Sequence, residues 1–162
     1  MMLISLVLAL TVGAGAQGKV DFSGTWVHNE ALLQTTHKVD PAEKVMGLKA
    51  PPITITQSPD TLTIQHDPPM PGWKAQRYVY NLAGKKSVNY NGANILTTTS
   101  RWEGDKLVNE GTSYSETSQG ESTWKWRETM RLDAKRRLLV ETRTTDESGK
   151  THVVTQTFDR KS

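Results

Sequence analysis

The chain has 162 residues, a formal net charge of +3 and no cysteine. This length suits one domain with a single hydrophobic core. The absence of cysteine excludes disulfides, thiolate metal sites and a lipid-modified cysteine anchor. Acidic and basic residues alternate along the chain instead of forming blocks, which indicates a solvated surface and argues against a nucleic-acid partner.

The N-terminal segment MMLISLVLALTVGAGA carries no charged side chain and ends in small residues. Its apolar run from Leu3 to Val12 has the length found in signal peptides and is too short to span a bilayer. Ala14-Gly15-Ala16 matches the small-x-small pattern that a signal peptidase accepts. We therefore expect residues 1–16 to be a cleaved signal peptide. An N-terminal membrane anchor and a buried strand are the alternative interpretations.

Cleavage there would leave residues 17–162 as a single domain without a membrane anchor, periplasmic or secreted. Within it, period-two alternation of apolar and polar residues is broken by turn residues at short intervals, which is typical of an all-β protein. The alternation predicts nine strands, at residues 22–29, 52–57, 61–66, 76–82, 95–102, 106–114, 122–132, 138–145 and 151–159.

Tight turns between successive strands predict an antiparallel up-and-down meander, closing into a β-barrel of 8–10 strands. Antiparallel closure of the last strand on the first requires an even number, which a short tenth strand within residues 85–90 would supply. Otherwise one of the nine is not part of the ladder, or the barrel stays open. Between the first two strands, Asp40, Pro41 and Glu43 form a capping-box-like start, and Gly47 would end a helix there. This predicts a short helix or lid, with an irregular loop as the alternative.

Three short motifs carry a resemblance to a known family. Phe22-Ser23-Gly24-Thr25-Trp26 resembles the first-strand signature of the calycin barrels, the lipocalins and fatty-acid-binding proteins. Small exported bacterial lipocalin-like proteins have a similar opening. Two later segments, Trp102-Glu103-Gly104-Asp105-Lys106-Leu107 and Thr157-Phe158-Asp159-Arg160-Lys161, are similar to those bacterial proteins as well.

The resemblance implies structural roles at one end of the barrel. In calycins the first-strand tryptophan closes that end and an arginine near the end of the last strand stacks across it. Trp26 and Arg160 occupy these positions, and Gly24 would admit a close backbone approach. The resemblance also implies a ligand within the barrel, entering at the opposite end under the 40–47 segment. The arginine–tyrosine carboxylate clamp of fatty-acid-binding proteins has no match, so the ligand class stays open.

One strand indicates which side chains face the interior. Trp124, Trp126, Glu128, Met130 and Leu132 share one parity, which places a carboxylate among apolar residues. Such a group could recognise a cationic or hydroxylated ligand, or it could lie at the rim or pair with an arginine. The aromatic residues could equally be plain core residues. The candidate ligand-binding residues are Tyr78, Tyr80, Trp102, Trp126, Glu128 and Met130.

Other chemistry finds little support in the sequence. The four histidines lack a metal-ligand spacing, and no Gly-x-Ser-x-Gly elbow or phosphate-binding glycine loop is present. Trp124-Lys125-Trp126-Arg127 interleaves aromatic and basic residues, but alternation sends the two kinds to opposite faces. We therefore predict no catalytic residue, no metal and no cofactor.

The sequence thus predicts a monomeric, exported, lipocalin-like barrel that binds a small lipophilic or amphipathic molecule in its interior. The alternative is a cell-envelope interaction module with a filled core, whose loops around Trp73 bind a protein or a glycan. A third hypothesis is an enzyme that uses Glu128 together with Arg127 or Tyr80.

Overall fold

The computed structural model describes residues 19–35, 51–68, 71–72, 74–118 and 120–161. They form an all-β structure with one 3-10 turn at Glu30–Leu32, and none of their helices is long and apolar enough to cross a membrane. The strands are β1 (Gly24–His28), β2 (Gln34–Thr35), β3 (Ile53–Gln57), β4 (Thr61–His66), β5 (Gln76–Asn81), β6 (Ser87–Asn91), β7 (Asn94–Glu103), β8 (Lys106–Thr117), β9 (Gly120–Leu132), β10 (Leu138–Thr145) and β11 (Thr151–Arg160).

Ten of these strands form one continuous antiparallel path in the order β5-β4-β3-β1-β11-β10-β9-β8-β7-β6, and the two-residue β2 pairs with β11 beside it. The last strand closes on the first, with Trp26 opposite Arg160. The predicted all-β meander barrel of 8–10 strands is therefore confirmed. Its even count comes from β6, at Ser87–Asn91, where the sequence predicted a tenth strand.

The barrel is interrupted between β5 and β6, although these strands are consecutive in the chain. No backbone ladder joins them in the described structure; side chains of β6 bridge the gap instead. The Asn89 amide accepts from the Val79 N–H at 2.7 Å and donates to the Val79 carbonyl at 3.1 Å. Ser87 Oγ accepts from the Asn81 N–H at 2.7 Å. We call this place the side-chain seam, because side chains replace the ladder that a plain meander would have here.

The hydrophobic core fills one end of the barrel, where β1 begins and β11 ends. Inward-facing residues from almost every strand meet there because alternate side chains of a strand share a face. The core residues are Phe22, Trp26, Ile53, Ile55, Leu62, Ile64, Tyr80, Leu82, Leu107, Met130, Leu138, Val140 and Phe158. We call this the closed end. The register places the β7–β8 and β9–β10 turns at the same end.

The connection between β1 and β3 runs at the opposite end, which we call the open end. Its described part consists of the 3-10 turn and β2, neither of which the sequence predicted. The predicted helix at 40–47, the signal peptide at 1–16 and the loop residue Trp73 all lie outside the described residues.

Candidate ligand-binding site

Trp26 and Arg160 pack against each other at the closed end. The Trp26 side chain is 0% exposed, and its Nε1 donates to the Phe22 carbonyl at 2.9 Å. The Arg160 guanidinium carbon lies 4.8 Å from the Trp26 ring centroid, and Nη2 donates to the Ser23 carbonyl at 2.8 Å. These contacts fill the closed end with protein atoms.

Gly24 leaves the space in which that guanidinium lies. A Cβ at this position would come within 3.2 Å of Arg160 Nη1, and the backbone φ of +138° disfavours any L side chain. The glycine in the first-strand motif thus permits both the unusual backbone conformation and the close approach of the arginine.

Trp102 and Met130 also belong to the closed end. The Trp102 ring stacks on Phe22, with ring centroids 5.9 Å apart and an interplanar angle of 3°. Met130 is fully buried in the core cluster, opposite Leu107 of β8. These two candidate residues therefore pack at the closed end. They are not among the residues that line the interior cavity toward the open end.

A cavity of about 260 Å³ lies inside the barrel toward the open end. Trp126 of β9 and Tyr78 of β5 meet there, although these strands are far apart in the sheet order. Asn91 Nδ2 donates to the Tyr78 hydroxyl at 2.9 Å and so holds that phenol in the cavity wall. The lining combines aromatic, aliphatic and polar side chains, namely Tyr78, Asn91, Asn94, Leu96, Ser113 and Trp126.

Glu128 lies two residues after Trp126 on β9 and faces the same interior. Its side chain is 9% exposed, and Oε1 accepts a hydrogen bond from Asn109 Nδ2 at 3.1 Å. Burial raises the pKa of the Glu128 carboxyl to about 7, because the bond from Asn109 offsets only part of the desolvation. Among the described residues no basic side chain forms an ion pair with it.

Two further polar side chains lie beside Glu128 on the inward faces of the neighbouring strands. Ser100 of β7 is opposite Asn109 of β8, which is opposite Glu128 of β9. We call these three residues the polar row. Among the described residues, Asn109 Oδ1 and Ser100 Oγ are buried without a hydrogen-bond partner, as is Thr98 Oγ1 on the same face of β7. Buried polar atoms are normally hydrogen-bonded, so these three oxygens suit a ligand with polar groups.

The sequence predicted Glu128 as an interior residue but gave no sign of Ser100, Asn109 and Thr98. Small polar residues at inward positions break the apolar alternation that marks an inward face. Their place beside Glu128 depends on the register of three strands, and that register emerges only from the fold.

Two tyrosines approach Glu128 from β5, across the barrel interior. Tyr80 is 2% exposed, and its pKa is raised by burial first and then by the negative charge of Glu128. Burial also raises the pKa of Tyr78, against the hydrogen bond from Asn91, and Glu128 adds to the rise. Both phenols therefore lie within electrostatic reach of the carboxylate.

Of the two pairings in the enzyme hypothesis, Glu128 with Arg127 is separated by the barrel wall, whereas Tyr80 lies inside the barrel with Glu128. Arg127 forms ion pairs with Glu110 and Glu103 on the outer surface, because it has the opposite parity to Glu128. The described ranges also contain no group of three His, Cys, Asp or Glu side chains that could hold a metal ion.

No protein-family model and no curated protein matches this sequence. Among solved structures, the fold is similar to that of zebrafish ileal bile acid-binding protein in complex with cholic acid, with a TM-score of 0.53. The two chains are 16% identical over 86% of this chain and 98% of the other. At this identity the likeness concerns the fold alone. The resemblance to the calycin barrels is thereby confirmed at the level of the fold.

Proposed function

We propose that this protein is an exported calycin-like barrel that binds a small amphipathic molecule in its interior. The observation that supports the proposal is the cavity lined by Tyr78 and Trp126, close to the buried polar row. Aromatic and aliphatic walls with a few convergent polar groups are typical of small-molecule sites. The bile acid-binding protein of similar fold was solved in complex with cholic acid, which adds support by analogy.

The ligand enters at the open end, since Trp26, Arg160 and Phe22 fill the other. Its apolar part packs against Trp126, Tyr78 and Leu96, and its polar part reaches toward Glu128. Export rests on the N-terminal sequence: the apolar run and the Ala14-Gly15-Ala16 site. Mass measurement of the protein secreted by a host cell tests this part. We expect a mature chain that begins at Gln17.

Binding is tested by titrating a fluorescent lipophilic dye into two matched variants. Ser113→Phe places a ring in the cavity, since Ser113 lines it. Thr112→Phe places the same ring on the exposed outer face of β8. We expect Ser113→Phe to weaken dye binding about tenfold or more and Thr112→Phe to leave it unchanged. Equal binding by both variants would show that the dye does not occupy the barrel.

Native mass spectrometry of the purified protein complements the titration. A co-purified molecule is expected on the wild type and absent from Ser113→Phe. A clean apo mass together with no dye binding by the wild type would contradict the proposed function.

A further inference from the structure

We propose that the polar row selects ligands that carry a protonated amine, so that the guest is a cationic amphiphile. This inference rests on the proposed function and adds the chemical class of the ligand. A site that prefers cationic ligands differs from one that holds a carboxylate-bearing molecule such as cholic acid.

The first argument is the balance of hydrogen-bond donors and acceptors. Asn109 directs its Nδ2 donor to Glu128 Oε1, and its Oδ1 acceptor has no partner in the part of the chain that the structure describes. Ser100 Oγ, opposite Asn109 in the register, has no partner among the described residues either. Trp102 Nε1 is a buried donor in the same situation, but its ring stacks on Phe22 at the closed end. An ammonium group offers three donors and no acceptor, which complements a surface of carboxylate, amide and hydroxyl oxygens.

The second argument is charge. Asn109 of β8 and Thr142 of β10 flank Glu128 in the sheet, and neither carries a charge. Tyr78 and Tyr80 of β5 are the titratable groups whose pKa values respond to it, and both are neutral at pH 7. His66 of β4 packs edge-on against Tyr78, with ring centroids 5.7 Å apart, and burial lowers its pKa, so it is neutral at pH 8. A buried carboxylate without a cationic partner is unfavourable. A ligand ammonium would supply that partner, whereas a ligand carboxylate would place a second negative charge beside the first.

The third argument is the aromatic surroundings. Trp126 shares the inward face of β9 with Glu128 and lines the cavity together with Tyr78. Indole and phenol rings attract cations through their electron-rich faces, most strongly where water is excluded. A cationic group that enters through the cavity would therefore meet favourable electrostatics before it reaches the carboxylate.

The test compares octylamine, octanol and octanoate, which share a tail and differ in the head group. Isothermal titration at pH 8, where Glu128 is ionised, should show octylamine binding about tenfold tighter than octanol, and octanoate weakest. Glu128→Gln should remove the preference for the amine, so that octylamine and octanol then bind with affinities within about twofold of each other. Glu141→Gln is the matched control, since Glu141 loses the same charge on the exposed face of β10.

A pH series supplies a second readout. Because the pKa of Glu128 is about 7, the affinity for octylamine should rise about tenfold from pH 6 to pH 8 in the wild type and stay flat in Glu128→Gln. If octanol or octanoate binds as tightly as octylamine, and Ser113→Phe still blocks binding, the amine preference is wrong while the cavity function stands. If none of the three ligands and no dye binds, both proposals fail.

Discussion

Arg160 and Trp26 are paired twice: their backbones are directly opposite in the β1–β11 ladder, and the guanidinium carbon lies 4.8 Å from the indole centroid. The same arginine donates to the Ser23 carbonyl and covers Gly24. The junction of the first and last strands thus coincides with the closure of one end of the barrel. Contacts at this junction should therefore dominate stability, and those at the open end should dominate binding.

Trp26→Ala should lower the free energy of unfolding by about 3–5 kcal/mol, as expected for a large aromatic residue removed from a packed core. Urea denaturation followed by circular dichroism measures the effect. Val27→Ala, one residue away and 39% exposed on the outer face, is the control and should cost under about 1 kcal/mol. A loss below about 1 kcal/mol for Trp26→Ala would rule out its role in closing the barrel.

Gly24→Ala should also destabilise the protein, by about 1–3 kcal/mol. The added Cβ meets the Arg160 guanidinium, and the backbone conformation is strained for alanine. A double-mutant cycle with Arg160→Ala separates the two causes, because loss of the arginine relieves the contact but not the backbone strain. Full additivity of the two substitutions would mean that the close approach has no energetic consequence.

Asn89→Ala should open the side-chain seam, because the Val79 N–H and carbonyl lose their partner. Hydrogen exchange at the Val79 amide should accelerate by about tenfold or more, with a loss of about 1–2 kcal/mol in stability. Val88→Ala, on the exposed outer face of the same strand, should change neither quantity. Unchanged exchange at Val79 in Asn89→Ala would show that the bridge does not hold the strands together.

Glu128→Gln should change how stability depends on pH. In the wild type the folded carboxyl has a pKa of about 7, above its ordinary value of 4.5, so the folded state binds this proton more tightly than the unfolded state. The contribution of Glu128 to the free energy of unfolding is therefore complete below pH 4.5. It is lost, by about 3 kcal/mol, as the pH rises through 7. Denaturation midpoints of wild type and variant should converge at low pH and separate between pH 5 and 8.

Wild type and Glu128→Gln must be compared because two partly buried histidines titrate in the same pH range. Burial lowers the pKa values of His28 and His66, so their contributions are present above pH 6.5 and are lost as the pH falls. These contributions cancel in the difference between wild type and Glu128→Gln. Parallel pH profiles would mean that Glu128 is not desolvated in the folded protein.

The strand pattern was readable from sequence wherever the inward residues are apolar. The run from Trp124 to Leu132 shows its two faces directly, which is how Glu128 could be assigned to the interior. The strand Ser87–Asn91 was harder to identify because its inward residues are serine and asparagine, and apolar periodicity does not mark them.

Two features could not be read from the sequence for physical reasons. The side-chain seam depends on hydrogen bonds from Asn89 and Ser87 to backbone atoms of another strand, and local propensity carries no trace of such bonds. The membership of Asn109 and Ser100 in the polar row depends on strand register, and a shift of one residue would turn both side chains outward.

The pairing of β1 with β11 also has a consequence for how the protein is made. Trp26 and Arg160 stand near opposite ends of the described chain, so β1 has no partner on one side until the final strand has been synthesised. Contacts of such long sequence separation slow folding, and an unpaired edge strand invites association with other chains. A truncation that removes β11 should therefore yield a species that aggregates. A nascent chain is likewise exposed to aggregation until β11 has been synthesised and has paired with β1.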